Sequence, residues 1–181
     1  MSLALHGFLD PTGVALFGSM KEGWFFGAGV VIKDLLDLGY TGAICPVHPS
    51  AESVYGLKVS RDVCQVEAPV DLAVVITSYR QVPDILRKCG ARGIKNAVVV
   101  SDGFGECGAE GRARQEEMLL IAREAGIRII GPNTMGVFNP FSGFSTGFLD
   151  LPREAAPAPV TAVVQSGMFQ VGSASFTGRL G

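Results

Sequence analysis

No apolar run in this 181-residue sequence reaches the roughly 18 residues needed to cross a bilayer, and no basic-then-apolar stretch opens it. The expectation is a chain with no membrane span and no secretory signal. A strong charge of either sign is also missing. Fifteen Lys and Arg against 17 Asp and Glu leave a net charge of −2, which provides no electrostatic footprint for nucleic acid or an anionic membrane. Histidine is scarce, with two in all, and none of the four cysteines (Cys45, Cys64, Cys89, Cys107) is paired as CxxC. A zinc centre takes about four ligands. Cys45 with His48 is the one close pairing, so no metal is expected, and the cysteines read as reduced thiols of a cytoplasmic protein.

What the sequence has is apolar mass and glycine. It is 48% hydrophobic with 24 glycines and 10 prolines, suited to a compact core with many tight turns. The length accommodates one α/β domain of about 140–150 residues and a remnant. Short apolar runs at 13–17, 43–47, 71–76, 97–100 and 127–130 read as buried parallel strands. Between them, helical periodicity is expected at about 24–38, where Val30, Val31, Leu35 and Leu38 recur and Gly39 stops the pattern, then at 82–89. A third helix is expected at 110–125, with Met118, Leu119, Ile121 and Ala122 inward and Gly126 as its stop. Residues 50–68 read as a short helix and loop around Tyr55 and Gly56, and 133–150 as an ordered loop at best.

Strands alternating with helices predict right-handed βαβ crossovers, hence a Rossmann-type, doubly wound parallel sheet with helices on both faces. Residues 4–150 are assigned to this domain, 151–159 (LPREAAPAP) to a stiff linker, and 160–181 to the first strand and helix of a second, flavodoxin-like domain.

In such a sheet the ligand lies outside the carboxyl ends of the strands, so the strand-end turns are the candidate site. The first holds Gly18, Ser19, Met20, Lys21 and Glu22, where glycine lets backbone approach a ligand and the following helix N-terminus favours phosphate. The others hold Val47, His48, Pro49 and Ser50; Ile76, Thr77 and Ser78; Ser101, Asp102 and Gly103; and Asn133 and Thr134. The first turn is not GxGxxG, and Val47-His48-Pro49 stands where a dinucleotide fold places Asp or Glu for a ribose hydroxyl. Both facts argue against an ordinary NAD site.

These turns, taken in order with Cys45-Pro46-Val47-His48-Pro49, Asp71-Leu72-Ala73-Val74, Ser101-Asp102-Gly103-Phe104, Gly131-Pro132-Asn133-Thr134-Met135-Gly136 and Val164-Gln165-Ser166-Gly167, resemble the CoA-binding domain of the NDP-forming acyl-CoA synthetases. The same domain opens the succinyl-CoA synthetase α subunit and related protein lysine acetyltransferases. The resemblance implies that coenzyme A lies across the strand ends. Its 3′-phospho-ADP end would meet Ser19–Glu22 and Val47–Ser50. The pantetheine arm would pass Ile76–Ser78 and Ser101–Gly103, with the thiol near Asn133 and Thr134. Gln165, Ser166 and Gly167 match the loop that holds the phosphate of a phosphohistidine. An ATP-grasp domain or subunit is the implied partner, with self-association left open.

The sequence departs from the pattern in two places. Succinyl-CoA synthetases carry a lysine near the position of Ser50, and Lys21 is the nearest basic residue expected to serve instead; Thr134 replaces the usual cysteine-like residue after Asn. Neither His6 nor His48 matches the phosphohistidine. The expectation is a CoA-binding part of an acid–thiol ligase that is not catalytic alone. A free-standing CoA or nucleotide sensor and a NAD-binding Rossmann domain are the alternatives.

Overall fold

Four elements begin the chain: α1 (His6–Leu9), β1 (Gly13–Gly18), α2 (Ala28–Asp37) and β2 (Ala43–Val47). Two short strands, β3 (Ser53–Val54) and β4 (Leu57–Lys58), precede β5 (Leu72–Ile76), α3 (Val82–Arg92) and β6 (Asn96–Val99). Then follow α4 (Gly108–Ala125), β7 (Arg128–Ile130), β8 (Phe138–Asn139) and β9 (Phe144–Ser145). The structure is a computed structural model and describes residues 5–147 and Ser166. The expected linker at 151–159 and the expected second-domain strand and helix lie outside the described residues, as do Gln165 and Gly167.

The five long-range strands form one parallel sheet in the order β2-β1-β5-β6-β7. Every residue of β1 and β5 is buried, because helices cover both faces and an apolar run without alternation suits a strand that meets no solvent. Alternate side chains divide into two cores. Ala15, Phe17, Ala73, Val75 and Val99 pack with Leu86, Cys89, Met118 and Ile121 of α3 and α4. Val14, Leu16, Leu72, Val74 and Val98 pack with Val31, Ile32 and Leu35 of α2, joined by Phe8 and Phe144. Each fully buried Leu or Ile contributes about 1.5–3 kcal/mol relative to exposure. The chain runs from β1 outward to β2, then crosses back to β5 on the other side of β1. The strand order therefore reverses between β1 and β5, and a cleft opens there.

The expected doubly wound sheet is the observed one, and three local expectations need correction. The helix expected from residue 24 begins at Ala28; Gly27 at φ +117° stands at its N-cap, and Trp24, Phe25 and Phe26 are exposed before it. Residues 50–68 hold no α-helix. Their Tyr55 and Gly56 both take positive φ, 45° and 78°, the signature of the two-residue turn that joins twisted antiparallel strands, and β3 pairs with β4 around it. Only Val63–Gln65 coils there, as a 3-10 turn capped by Asp62. The segment expected to be irregular after residue 133 contains the β8–β9 hairpin. Its Phe144 is fully buried beside Tyr40, ring centroids 5.3 Å apart, so tertiary packing supplies the order that periodicity did not announce.

Two outcomes follow for this scaffold. Gly18 has φ +149°, and an added Cβ would come 2.5 Å from the Ile76 carbonyl oxygen, whereas Gly39 (φ +71°) has open space around it. In urea unfolding, Gly18→Ala is expected to lose at least about 2 kcal/mol from strain plus clash, and Gly39→Ala about 1 kcal/mol from backbone strain alone. Equal losses would contradict the close approach. For the thiols, burial pushes Cys89 up to about 12, with Cys64 and Asp62 adding to the effect, while Cys64 and Cys107 are exposed. A native-state titration with Ellman's reagent is expected to show two fast thiols, with Cys89 reacting only on unfolding.

Candidate functional site

Above the carboxyl ends of the strands lie two adjoining pockets that share Ile76 and Thr77 on their walls. The first, of about 600 Å³, sits over the ends of β2, β1 and β5 and is walled by Gly18, Ser19, Val47, His48, Pro49 and the start of α3. The second, of about 590 Å³, sits over β5, β6 and β7 and is walled by Ser78, Ser101, Asp102, Asn133, Thr134 and Ser166, with Phe26, Val100 and Met135 as its apolar part. Together they make one groove across the sheet edge, centred on the reversal of strand order.

Charge is distributed unevenly along this groove. The first pocket is lined by three cations, Arg61, Arg80 and Lys88, and two carboxylates, Asp62 and Asp84. Asp102 is the only ionisable side chain among the described residues lining the second. Lys88 is occupied: its ammonium lies 3.0 Å from Asp62 and 3.1 Å from Asp84, and these partners raise its pKa. Asp62 is held below the usual carboxylate range, first by the backbone N–H of Cys64 and then by Lys88. Among the described residues no carboxylate is recorded against Arg61 or Arg80. Arg80 lies with its guanidinium carbon 4.8 Å from the Tyr79 ring centroid, and Arg114 lies at 4.5 Å from the same ring.

The strand-end turns hold one another in place. Ser101 is buried and uses its polar atoms internally: its hydroxyl accepts from the Thr77 N–H at 3.3 Å and donates to the Val75 carbonyl at 3.4 Å. Its carbonyl accepts from the Asn133 N–H at 3.0 Å. One residue thereby ties the turns after β5, β6 and β7. The turn after β6 is fixed again by Glu106, whose carboxylate accepts from the N–H groups of Gly103 and Phe104, and by Arg114, which donates to the Gly103 carbonyl at 2.9 Å. In the turn after β2, His48 Nδ1 accepts from the N–H groups of Ser50 and Ala51 at 3.2 and 3.1 Å. That arrangement places the ring proton on Nε2.

The strand-end residues named from the sequence separate into two groups. Gly18, Ser19, Val47, His48, Pro49, Ile76, Thr77, Ser78, Ser101, Asp102, Asn133, Thr134 and Ser166 line the groove. Met20, Lys21, Glu22, Ser50 and Gly103 line neither pocket. Met20 is buried in the core beside α2. The Lys21 ammonium, expected from the sequence to meet phosphate, rests 4.1 Å from the centroid of the Trp24 ring. The Glu22 carboxylate accepts from the Tyr55 N–H on the β3–β4 turn. Gly103 is where the Tyr79 ring lies, since a Cβ there would come 2.5 Å from it.

Arg61, Arg80 and Phe26 were not named from the sequence, and Met135 only as part of the turn after β7. Arg80 follows Ser78 by two residues, so extending the third turn past its first three positions would have found it. Arg61 had no local signal. It reaches the groove because Ser60 pairs with Val47 in an isolated parallel bridge along the outer edge of β2, after which its guanidinium donates to the Pro49 carbonyl at 2.8 Å. Among the described residues no cluster of three His, Cys, Asp or Glu side chains could hold a metal ion, and no helix is long and apolar enough to cross a membrane.

Residues 14–140 match the family model described as a CoA binding domain. The chain is 35% identical over 159 residues to an ADP-forming acetate–CoA ligase II of Archaeoglobus fulgidus, covering 88% of this chain and 23% of that protein. It is 30% identical over 179 residues to the α subunit of ADP-forming acetate–CoA ligase I of Pyrococcus furiosus, covering 97% and 38% respectively. The structure superposes with a TM-score of 0.84 at 28% identity on the dinucleotide-forming acetyl-coenzyme A synthetase 1 of Ca. Korarchaeum cryptofilum, solved with phosphate and ADP, over 96% of this chain and 36% of that one. A protein of Pyrococcus horikoshii aligns with a TM-score of 0.85 at 33% identity, over 96% and 39%. The chain thus spans between about a quarter and two fifths of the length of these relatives. It belongs to the CoA-binding domain family of the NDP-forming acyl-CoA synthetases.

Proposed function

We propose that this chain holds coenzyme A along the strand-end groove, with the nucleotide end in the first pocket and the pantetheine arm in the second, as the CoA-binding part of an ADP-forming acid–thiol ligase. The carrying observation is the uneven charge of two joined pockets. CoA is itself asymmetric: its phosphates are all at the nucleotide end, and the pantetheine arm is neutral with amide groups along it. Among the described residues cations line only the first pocket, and Gly18 on its wall lets β1 and β5 approach closely beneath it. The second pocket offers amide and hydroxyl groups from Asn133, Thr134 and Thr77 beside the apolar Phe26 and Met135, a lining suited to a chain of amides and methylenes.

On this reading the thiol end lies toward Asn133 and Thr134, and Ser101 acts chiefly by positioning three turns. Residues 4–150 form the CoA-binding domain, 151–159 a linker, and 160–181 the start of a second domain whose Gln165-Ser166-Gly167 holds phosphate. That Ser166 lines the second pocket supports bringing this loop to the thiol end. The ligase reaction, acid plus CoA plus ATP giving acyl-CoA, ADP and phosphate, also needs a phosphohistidine and an ATP-grasp domain or subunit, which this reading assigns to other parts of the synthetase.

Isothermal titration tests the assignment. CoA is expected to bind with a Kd of roughly micromolar order, and NADH to give no heat; absence of heat with millimolar CoA would overturn the reading. Asp102→Trp places a ring in the second pocket only. It is expected to weaken CoA by about tenfold or more, ~1.4 kcal/mol, while leaving adenosine 3′,5′-bisphosphate unaffected. Equal loss for both ligands would reverse or abolish the proposed orientation.

A further inference from the structure

We propose that Arg61 is the residue by which this protein recognises the phosphate on the CoA ribose, and therefore distinguishes CoA from dephospho-CoA. The inference rests on the CoA reading above and adds a specificity-determining residue to it.

The argument begins with where a ribose must lie. In a doubly wound sheet, a nucleotide whose diphosphate meets the turn after the first strand places its ribose at the end of the second. There an acidic side chain takes a free hydroxyl, and an Arg nearby accommodates a ribose phosphate. Here the end of β2 has no acidic residue; it carries Val47, His48 and Pro49, all on the pocket wall. A carboxylate at that point would repel a phosphorylated ribose, so its absence removes a barrier. A cation must still supply the attraction.

The pocket has three candidate cations. Lys88 is held between Asp62 and Asp84. Arg80 is carried by the 3-10 turn between β5 and α3, with its guanidinium over the Tyr79 ring, away from the end of β2 in sequence and nearer the β1–β5 reversal. Arg61 alone is at the end of β2. The Val47–Ser60 bridge brings its backbone there, and its Nη1 is anchored on the Pro49 carbonyl at 2.8 Å. A guanidinium has five N–H donors in a fixed plane; one used on Pro49 leaves four, enough for a two-pronged contact to phosphate. The anchor also reduces the rotamer freedom lost on binding. His48 adds a further donor, because two backbone N–H groups on Nδ1 leave Nε2–H free to donate. Lys21, with its ammonium over Trp24, is outside both pockets.

Titrating the full chain, wild type and two variants, with CoA and dephospho-CoA at low ionic strength tests the assignment. Wild type is expected to prefer CoA by about tenfold or more, the scale of one charge-assisted contact. Arg61→Ala is expected to bring CoA affinity down to that of dephospho-CoA and to leave dephospho-CoA itself unchanged, and Arg61→Lys to restore part of the preference. Arg80→Ala is expected to weaken both ligands by a similar factor. Equal weakening of both ligands by Arg61→Ala, or a wild-type protein that binds the two alike, would overturn the role of Arg61 while leaving CoA binding intact. Failure of wild type to bind either ligand would instead overturn the CoA reading itself. Arg61 is exposed, so an unchanged melting temperature separates loss of recognition from loss of fold.

Discussion

Gly18 stands opposite Ile76 where β1 and β5 end, and the groove depends on how closely these two backbones approach. The strands on either side of β1 are reached by crossovers in opposite directions, so no helix can cover the sheet edge at that point. A side chain on Gly18 would collide with the Ile76 carbonyl. Its absence lets the two backbones pair closely. From this contact the first pocket extends toward β2 and the second toward β7, with Ile76 and Thr77 common to both.

The rim of the groove is built from residues that mostly bond to one another. Ser101 joins three turns through its hydroxyl and its carbonyl, and Tyr79 is held between two guanidinium groups above Gly103. Such ties cost little because each buried polar group finds a partner, and they hold the turns after β5, β6 and β7 as one surface before any ligand arrives. A rim prepared in this way lowers the ordering entropy of binding a long, flexible ligand. The cations are arranged by the same economy: Lys88 neutralises two carboxylates, and the two arginines in the pocket are positioned by a carbonyl and by an aromatic ring.

Most of the sheet was legible because its signals are local. Unbroken apolar runs marked β1, β5 and β6, Gly39 and Gly126 marked helix ends, and small polar residues after each strand marked the turns that meet at the groove. Where the reading failed, the deciding contact was distant in sequence. Glu22 is drawn away by the N–H of Tyr55, 33 residues along, and the hairpin of Phe144 is ordered by Tyr40 and the α2 face. Lys21, a cation in the turn after β1, rests over the ring of Trp24 three residues later.

The sequence by itself determined the number and direction of the main strands, the turns at their carboxyl ends and the family to which those turns belong, since apolar runs, glycine stops and ordered motifs are written in neighbouring residues. Tertiary structure decided which cations face the groove. Arg61 reaches it only because Ser60 pairs with Val47 across the β3–β4 hairpin. A pairing of that kind depends on strand edges brought together by the whole fold, and no periodicity around residue 61 records it.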